Sequence, residues 1–205
     1  MSTDIEQKTQ ETENAESTEV VESVSATEEI TETQSETEEL AEEIKPEYCC
    51  FVPEKREELT TEGGLDVFSQ SSKIKEASER LKDAGIRVSL FIDTDEKQII
   101  AAADTLAPYI EIHTGHYADA SNQKNTEKEL ENIKRSIVLA MNLGLKINAG
   151  HGLNYENTER IATMPEILEL NIGHSIISRA VFSGLSAAVQ EMKELIDTQY
   201  QLEKF

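Results

Sequence analysis

The four histidines of this 205-residue chain, His113, His116, His151 and His174, are its first candidates for chemistry. Imidazole changes charge near neutral pH, so it can donate or accept a proton without an extreme environment. Each of the four lies at or just past the end of a strand-like apolar run. The sharpest case is Ile147-Asn148-Ala149-Gly150-His151-Gly152-Leu153, where an apolar run ends in Ala-Gly and delivers a histidine and a second glycine at its tip. In parallel α/β proteins ligands bind at the carboxyl ends of the strands. A histidine standing alone is more often structural than catalytic; three strand ends with histidine at one face favour a site, with His151 as its leading residue.

Two further patterns point to the same face. Gly150-His151-Gly152 and Asn171-Ile172-Gly173-His174 place backbone N–H groups at strand-to-helix turns, where helix N-termini favour anions, although such glycines also simply permit tight turns. Glu111 alternates in phase with His113, so a carboxylate and an imidazole can share one side of a strand, for proton transfer or for a structural hydrogen bond. No metal is expected, because no His-x-His or Glu-x-x-His spacing occurs with a third ligand in reach. No Walker or dinucleotide fingerprint is present.

The elements that must position these residues follow in order. Thr37 to Ile44 reads as a short amphipathic helix stopped by Pro46, and Tyr48 to Val52 as the first strand. Pro53 to Asp66 is a long polar loop carrying Lys55, Arg56, Thr60, Thr61, Glu62 and Gly63-Gly64, either a solvated loop or one of the kind that forms lids or binding loops. The spacing predicts a helix from Ser72 to Ala84, a strand from Arg87 to Ile92 ending at Asp93, and a helix from Glu96 to Thr105. A strand from Tyr109 to Thr114, a helix from Glu127 to Leu143 and a strand from Lys146 to Asn148 come next. A short helix from Asn157 to Thr163, a strand from Ile167 to Ile172 and a helix from Ser175 to about Ile196 close the series. Five strands separated by helices predict a parallel sheet. Five β/α units fit an open sheet or the last five units of an eight-stranded barrel.

The charge is uneven. Residues 1–45 hold fifteen acidic and two basic residues, about −13 of the formal net charge of −22. Residues 1–36 are nearly all Glu, Thr, Ser and Gln without an aromatic, and are expected to form an acidic, disordered tail, since they cannot bury enough surface to offset chain entropy. Nucleic acid is excluded as a partner, because phosphate binding takes clustered Lys and Arg. No apolar run approaches the roughly 18 residues of a membrane span, and no signal-peptide pattern follows Met1, so a cytoplasmic location is expected. The adjacent Cys49-Cys50 pair is read as two buried strand residues rather than a disulfide or metal site.

From about Thr37 onward the chain resembles the pyridoxine 5′-phosphate synthase (PdxJ) family. The resemblance runs through Tyr48-Cys49-Cys50-Phe51-Val52-Pro53-Glu54-Lys55-Arg56, Thr60-Thr61-Glu62-Gly63-Gly64-Leu65-Asp66-Val67 and Val88-Ser89-Leu90-Phe91-Ile92-Asp93. It continues through Tyr109-Ile110-Glu111-Ile112-His113-Thr114-Gly115, Asn148-Ala149-Gly150-His151-Gly152-Leu153 and Glu169-Leu170-Asn171-Ile172-Gly173-His174. It implies a (β/α)8 TIM barrel, of which residues 37–205 would supply the last five units. It also implies a cytoplasmic homo-octamer that condenses 1-deoxy-D-xylulose 5-phosphate with 3-amino-2-oxopropyl phosphate to pyridoxine 5′-phosphate, without metal or organic cofactor. By motif, Thr60 would lie in a loop closing over the substrates and His151 would be the proton donor. Gly152, Gly173 and His174 would bind phosphate, and Glu111 would lie in the substrate pocket.

The family's earlier strands are one ending in Asn-x-Asp-His, one carrying His-x-Arg and one ending in Asn-Leu-Glu, and they hold two more acid/base groups. None of these motifs occurs in this sequence. The expectation is therefore a homologue with the proton-donor and phosphate-binding part of the site. The alternative is a non-catalytic remnant that binds phosphate ligands weakly or associates with full-length subunits.

Overall fold

A computed structural model describes residues 38–53 and 63–202. They belong to two units, one ending at Ile44 and one beginning at Lys45. In the first, residues 38–44 form helix α1, as the amphipathic pattern predicts, with Leu40 and Ile44 exposed.

In the second unit the expected alternation is realised as β1 (Tyr48–Phe51), α2 (Ser71–Asp83), β2 (Arg87–Ile92), α3 (Glu96–Ala103), β3 (Tyr109–His113), α4 (Gly115–Ala118), α5 (Gln123–Asn142), β4 (Lys146–Gly150), α6 (Thr158–Ala162), β5 (Ile167–Asn171), α7 (His174–Ser183) and α8 (Leu185–Leu202). The strands form one sheet in the order β1-β2-β3-β4-β5, every pair parallel, the arrangement of part of a TIM barrel.

The middle strands are almost wholly buried because both faces are covered. Val88, Leu90 and Ile92 of β2, Ile110 and Ile112 of β3, and Ile147 and Ala149 of β4 are buried with Leu81, Ile99, Ile133, Ile137 and Ile161 from the helices. Helix starts are set by side chains: Asp95 accepts from the N–H groups of Lys97 and Gln98 at α3, and Asn122 from that of Asn125 at α5.

Three sequence expectations change. The predicted final helix from Ser175 to Ile196 is two helices, because Gly184 takes a φ of 82° and breaks a pattern whose apolar spacing runs straight through it. The one-turn α4 interrupts what reads as loop. Cys49 is half-buried and Cys50 exposed rather than both buried, because among the described residues β1 is an edge strand with one face open. The other edge is also open: β5 is largely exposed, as are Val181 and Phe182 of α7.

Candidate active site

Every strand delivers its candidate residues to the same end of the sheet. Alternation along β3 puts Ile110 and Ile112 on one face and Glu111 and His113 on the other. Glu111 is buried, and its Oε2 accepts a 2.6 Å hydrogen bond from Asn171 Nδ2 and a longer one, 3.7 Å, from the Cys50 thiol. Burial pushes the Glu111 carboxyl above the ordinary glutamate range, against the opposing pull of those two donors. The same burial, reinforced by Glu111, pushes the Cys50 thiol up to about 12; although the residue is exposed at the sheet edge, its sulfur turns in toward Glu111, so we read this thiol as a neutral hydrogen-bond donor.

One step further along β3, His113 is 3% exposed. Its Nδ1 lies 2.7 Å from Asp93 Oδ1, at the end of β2, and Asp93 Oδ2 accepts from the Gly64 N–H at 2.9 Å. Burial alone would raise the Asp93 carboxyl, but hydrogen bonds from His113 and Gly64 outweigh it and hold the group below its ordinary range. Asp93 is thus a carboxylate that can only accept, and the proton between the two residues belongs to His113 Nδ1. His113 Nε2 is buried and has no hydrogen-bond partner among the described residues.

His151 is the first residue past β4. It is exposed, and its ring meets that of His113 at 4.9 Å between centroids with 66° between planes, with Phe91 at 6.2 Å on a tilted approach. Its φ is 79°, the left-handed region that a non-glycine residue enters at a cost, and Gly152 follows at 75°. Such a backbone persists where its surroundings hold it. Here the buried Thr114 hydroxyl faces the carbonyls of Gly150 at 2.7 Å and His151 at 2.6 Å, while the Thr114 N–H donates to Gly150 at 2.8 Å.

Gly173 is the residue before α7, and His174 opens that helix; both are exposed. The Ser175 hydroxyl donates to the Leu153 carbonyl at 2.8 Å, tying the start of α7 to the segment that follows Gly152. The two strand-to-helix turns thus lie on neighbouring segments. Thr60, with Lys55 and Arg56, lies outside the described residues.

The residues that sequence reasoning did not single out are Asp93, Thr114, Gly115 and Asn171. Each sits at a strand end within a quoted motif, but its role depends on a partner from another strand. Asp93 also supplies the third ligand that spacing along the chain does not reveal: Asp93, His113 and His116 offer ligand atoms within 4.8 Å of one another. A cation bound through His113 Nδ1 would force the proton onto Nε2, where no acceptor waits among the described residues. Metal-binding histidines ordinarily hand that proton to a partner, so these residues fit an Asp–His hydrogen bond better than a metal centre.

Known proteins are similar to most of this chain. The family model described as pyridoxal phosphate biosynthesis protein PdxJ matches residues 10–198, so the match begins inside the acidic stretch. The chain is 60% identical over 157 residues to pyridoxine 5′-phosphate synthase of Colwellia psychrerythraea, covering 77% of this chain and 64% of that protein. It is 58% identical over 161 residues to the Photobacterium profundum protein of that name, covering 78% and 66%. For the Pseudoalteromonas translucida protein the values are 59% over 157 residues, covering 77% and 65%. The chain thus spans slightly less than two thirds of the length of these relatives.

Proposed function

We propose, from the premise that this chain belongs to the PdxJ family, that it carries the proton-donor and phosphate-binding part of a pyridoxine 5′-phosphate synthase site. The reaction is the ring-closing condensation of 1-deoxy-D-xylulose 5-phosphate with 3-amino-2-oxopropyl phosphate, in the cytoplasm and without a metal or organic cofactor. Among the described residues no helix is long and apolar enough to cross a membrane.

The observation that carries the reading is the convergence of Glu111, His151 and Gly152 at the ends of β3 and β4, beside the start of α7. His151 is exposed and can reach a bound substrate as proton donor. Gly152, Gly173 and His174 offer N–H groups to the phosphate. Glu111, buried and with a raised affinity for a proton, would lie in the substrate pocket, and by motif Thr60 would belong to a loop closing over the substrates.

The second reading, a chain that binds phosphate without turnover or associates with full-length subunits, is favoured by the two sheet edges that are unpaired among the described residues and by the absence of the Asn-x-Asp-His, His-x-Arg and Asn-Leu-Glu motifs. Losing general acid/base groups costs roughly 10²–10⁴-fold each, so the 205-residue polypeptide is expected to bind product with little turnover. Calorimetric titration with pyridoxine 5′-phosphate tests the first part; no binding at millimolar ligand would remove the phosphate site. Product formation from the two substrates, abolished by His151→Ala, would instead establish a complete enzyme.

A further inference from the structure

We infer that the end of β3 braces His151: the His113 ring, fixed by Asp93, and the Thr114 hydroxyl hold the ring and backbone of His151 in the pose from which it would donate a proton. The inference rests on the proton-donor role proposed for His151.

The brace is a chain of contacts running across three strand ends. The Gly64 N–H fixes Asp93 Oδ2 at 2.9 Å, and Asp93 Oδ1 accepts a hydrogen bond from the His113 Nδ1–H at 2.7 Å. His113, packed against Phe91 at 5.0 Å, then meets the His151 ring at 4.9 Å. The Thr114 hydroxyl proton faces the Gly150 and His151 carbonyls together, and these flank the residue whose φ is 79°. Gly115 leaves the room both rings use: a Cβ there would lie 2.4 Å from His113 Nε2 and 3.1 Å from His151 Cδ2. Because His113 Nε2 is buried, His113 is a positioning residue that acts through His151. Holding a donor in one geometry before the substrate arrives is what makes proton transfer efficient.

The test uses long-range 1H–15N spectra of the imidazoles in the full chain without ligand. The expected result is a His113 protonated on Nδ1 and a His151 ring with shifts away from random-coil values. Thr114→Val and His113→Gln should move the His151 shifts to random-coil values, Thr114→Ser should restore them, and Asp93→Asn should remove the Nδ1–H signature of His113 where Asp93→Glu keeps it. If His113→Gln fails to fold, the nearly isosteric Thr114→Val decides. Unchanged His151 shifts in folded Thr114→Val, or a wild-type His113 protonated on Nε2, would overturn the brace. Failure of the proposed function reads differently, as unchanged wild-type His151 shifts on adding pyridoxine 5′-phosphate.

Discussion

Asn171 on β5 reaches Glu111 on β3 across the intervening strand, and the 2.6 Å hydrogen bond between them passes over Gly150. A Cβ at Gly150 would lie 2.4 Å from Glu111 Oε1 and 2.9 Å from Asn171 Cβ. The glycine is required by space, since three strands converge on one carboxylate.

Gly150→Ala should therefore separate Asn171 from Glu111 and destabilise the fold by roughly 1–3 kcal/mol, the usual cost of overpacking. Urea unfolding measures this, and an unchanged midpoint would show that the two side chains give way freely.

Glu111 makes stability fall as pH rises. Its folded pKa lies above its ordinary 4.5, so its contribution is complete below pH 4.5 and is lost as pH climbs through the folded value. Glu111→Gln keeps the shape and an acceptor for Asn171. Relative to wild type, its melting temperature should gain as pH moves from 4 to 8; a difference that does not vary with pH would contradict the assignment.

Asp93 behaves in the opposite sense. Its folded pKa lies below its ordinary 3.8, so its contribution is present above pH 3.8 and disappears as pH falls through the folded value. Asp93→Asn should cost about 1–2 kcal/mol at pH 7, allowing for screening of a side chain 34% exposed. The gap should close in acid, and denaturant titrations at pH 7 and pH 3 make the comparison.

Gly152→Ala meets two obstacles, a φ of 75° and the Ala118 Cβ at 2.6 Å. We expect a loss of about 1–2 kcal/mol and weaker pyridoxine 5′-phosphate binding. Adding Ala118→Gly removes the clash and leaves the backbone strain, so the double variant should recover only part of the stability. Full recovery would mean that the backbone conformation carries no cost.

The order of elements was legible along the chain because strands covered on both faces read as predominantly apolar runs, as in Val88 to Ile92 and Tyr109 to Ile112, each interrupted by a single polar residue. Histidines and glycines at the tips of those runs marked the face, and parallel pairing made the tips neighbours. The Gly184 break was not legible, since helical spacing continues from Val181 through Leu185 to Val189 and a positive φ leaves no trace in it. Nor was the exposure of Cys50, which depends on what lies beyond an edge strand.

By itself the sequence determined which side chains stand at the strand ends and the alternation that places Glu111 beside His113. Only the tertiary structure decided which of them meet. Asp93 and His113 are twenty residues apart, and Glu111 and Asn171 sixty. Those pairs exist because parallel register brings the ends of different strands together, and register depends on packing between segments that no local pattern encodes.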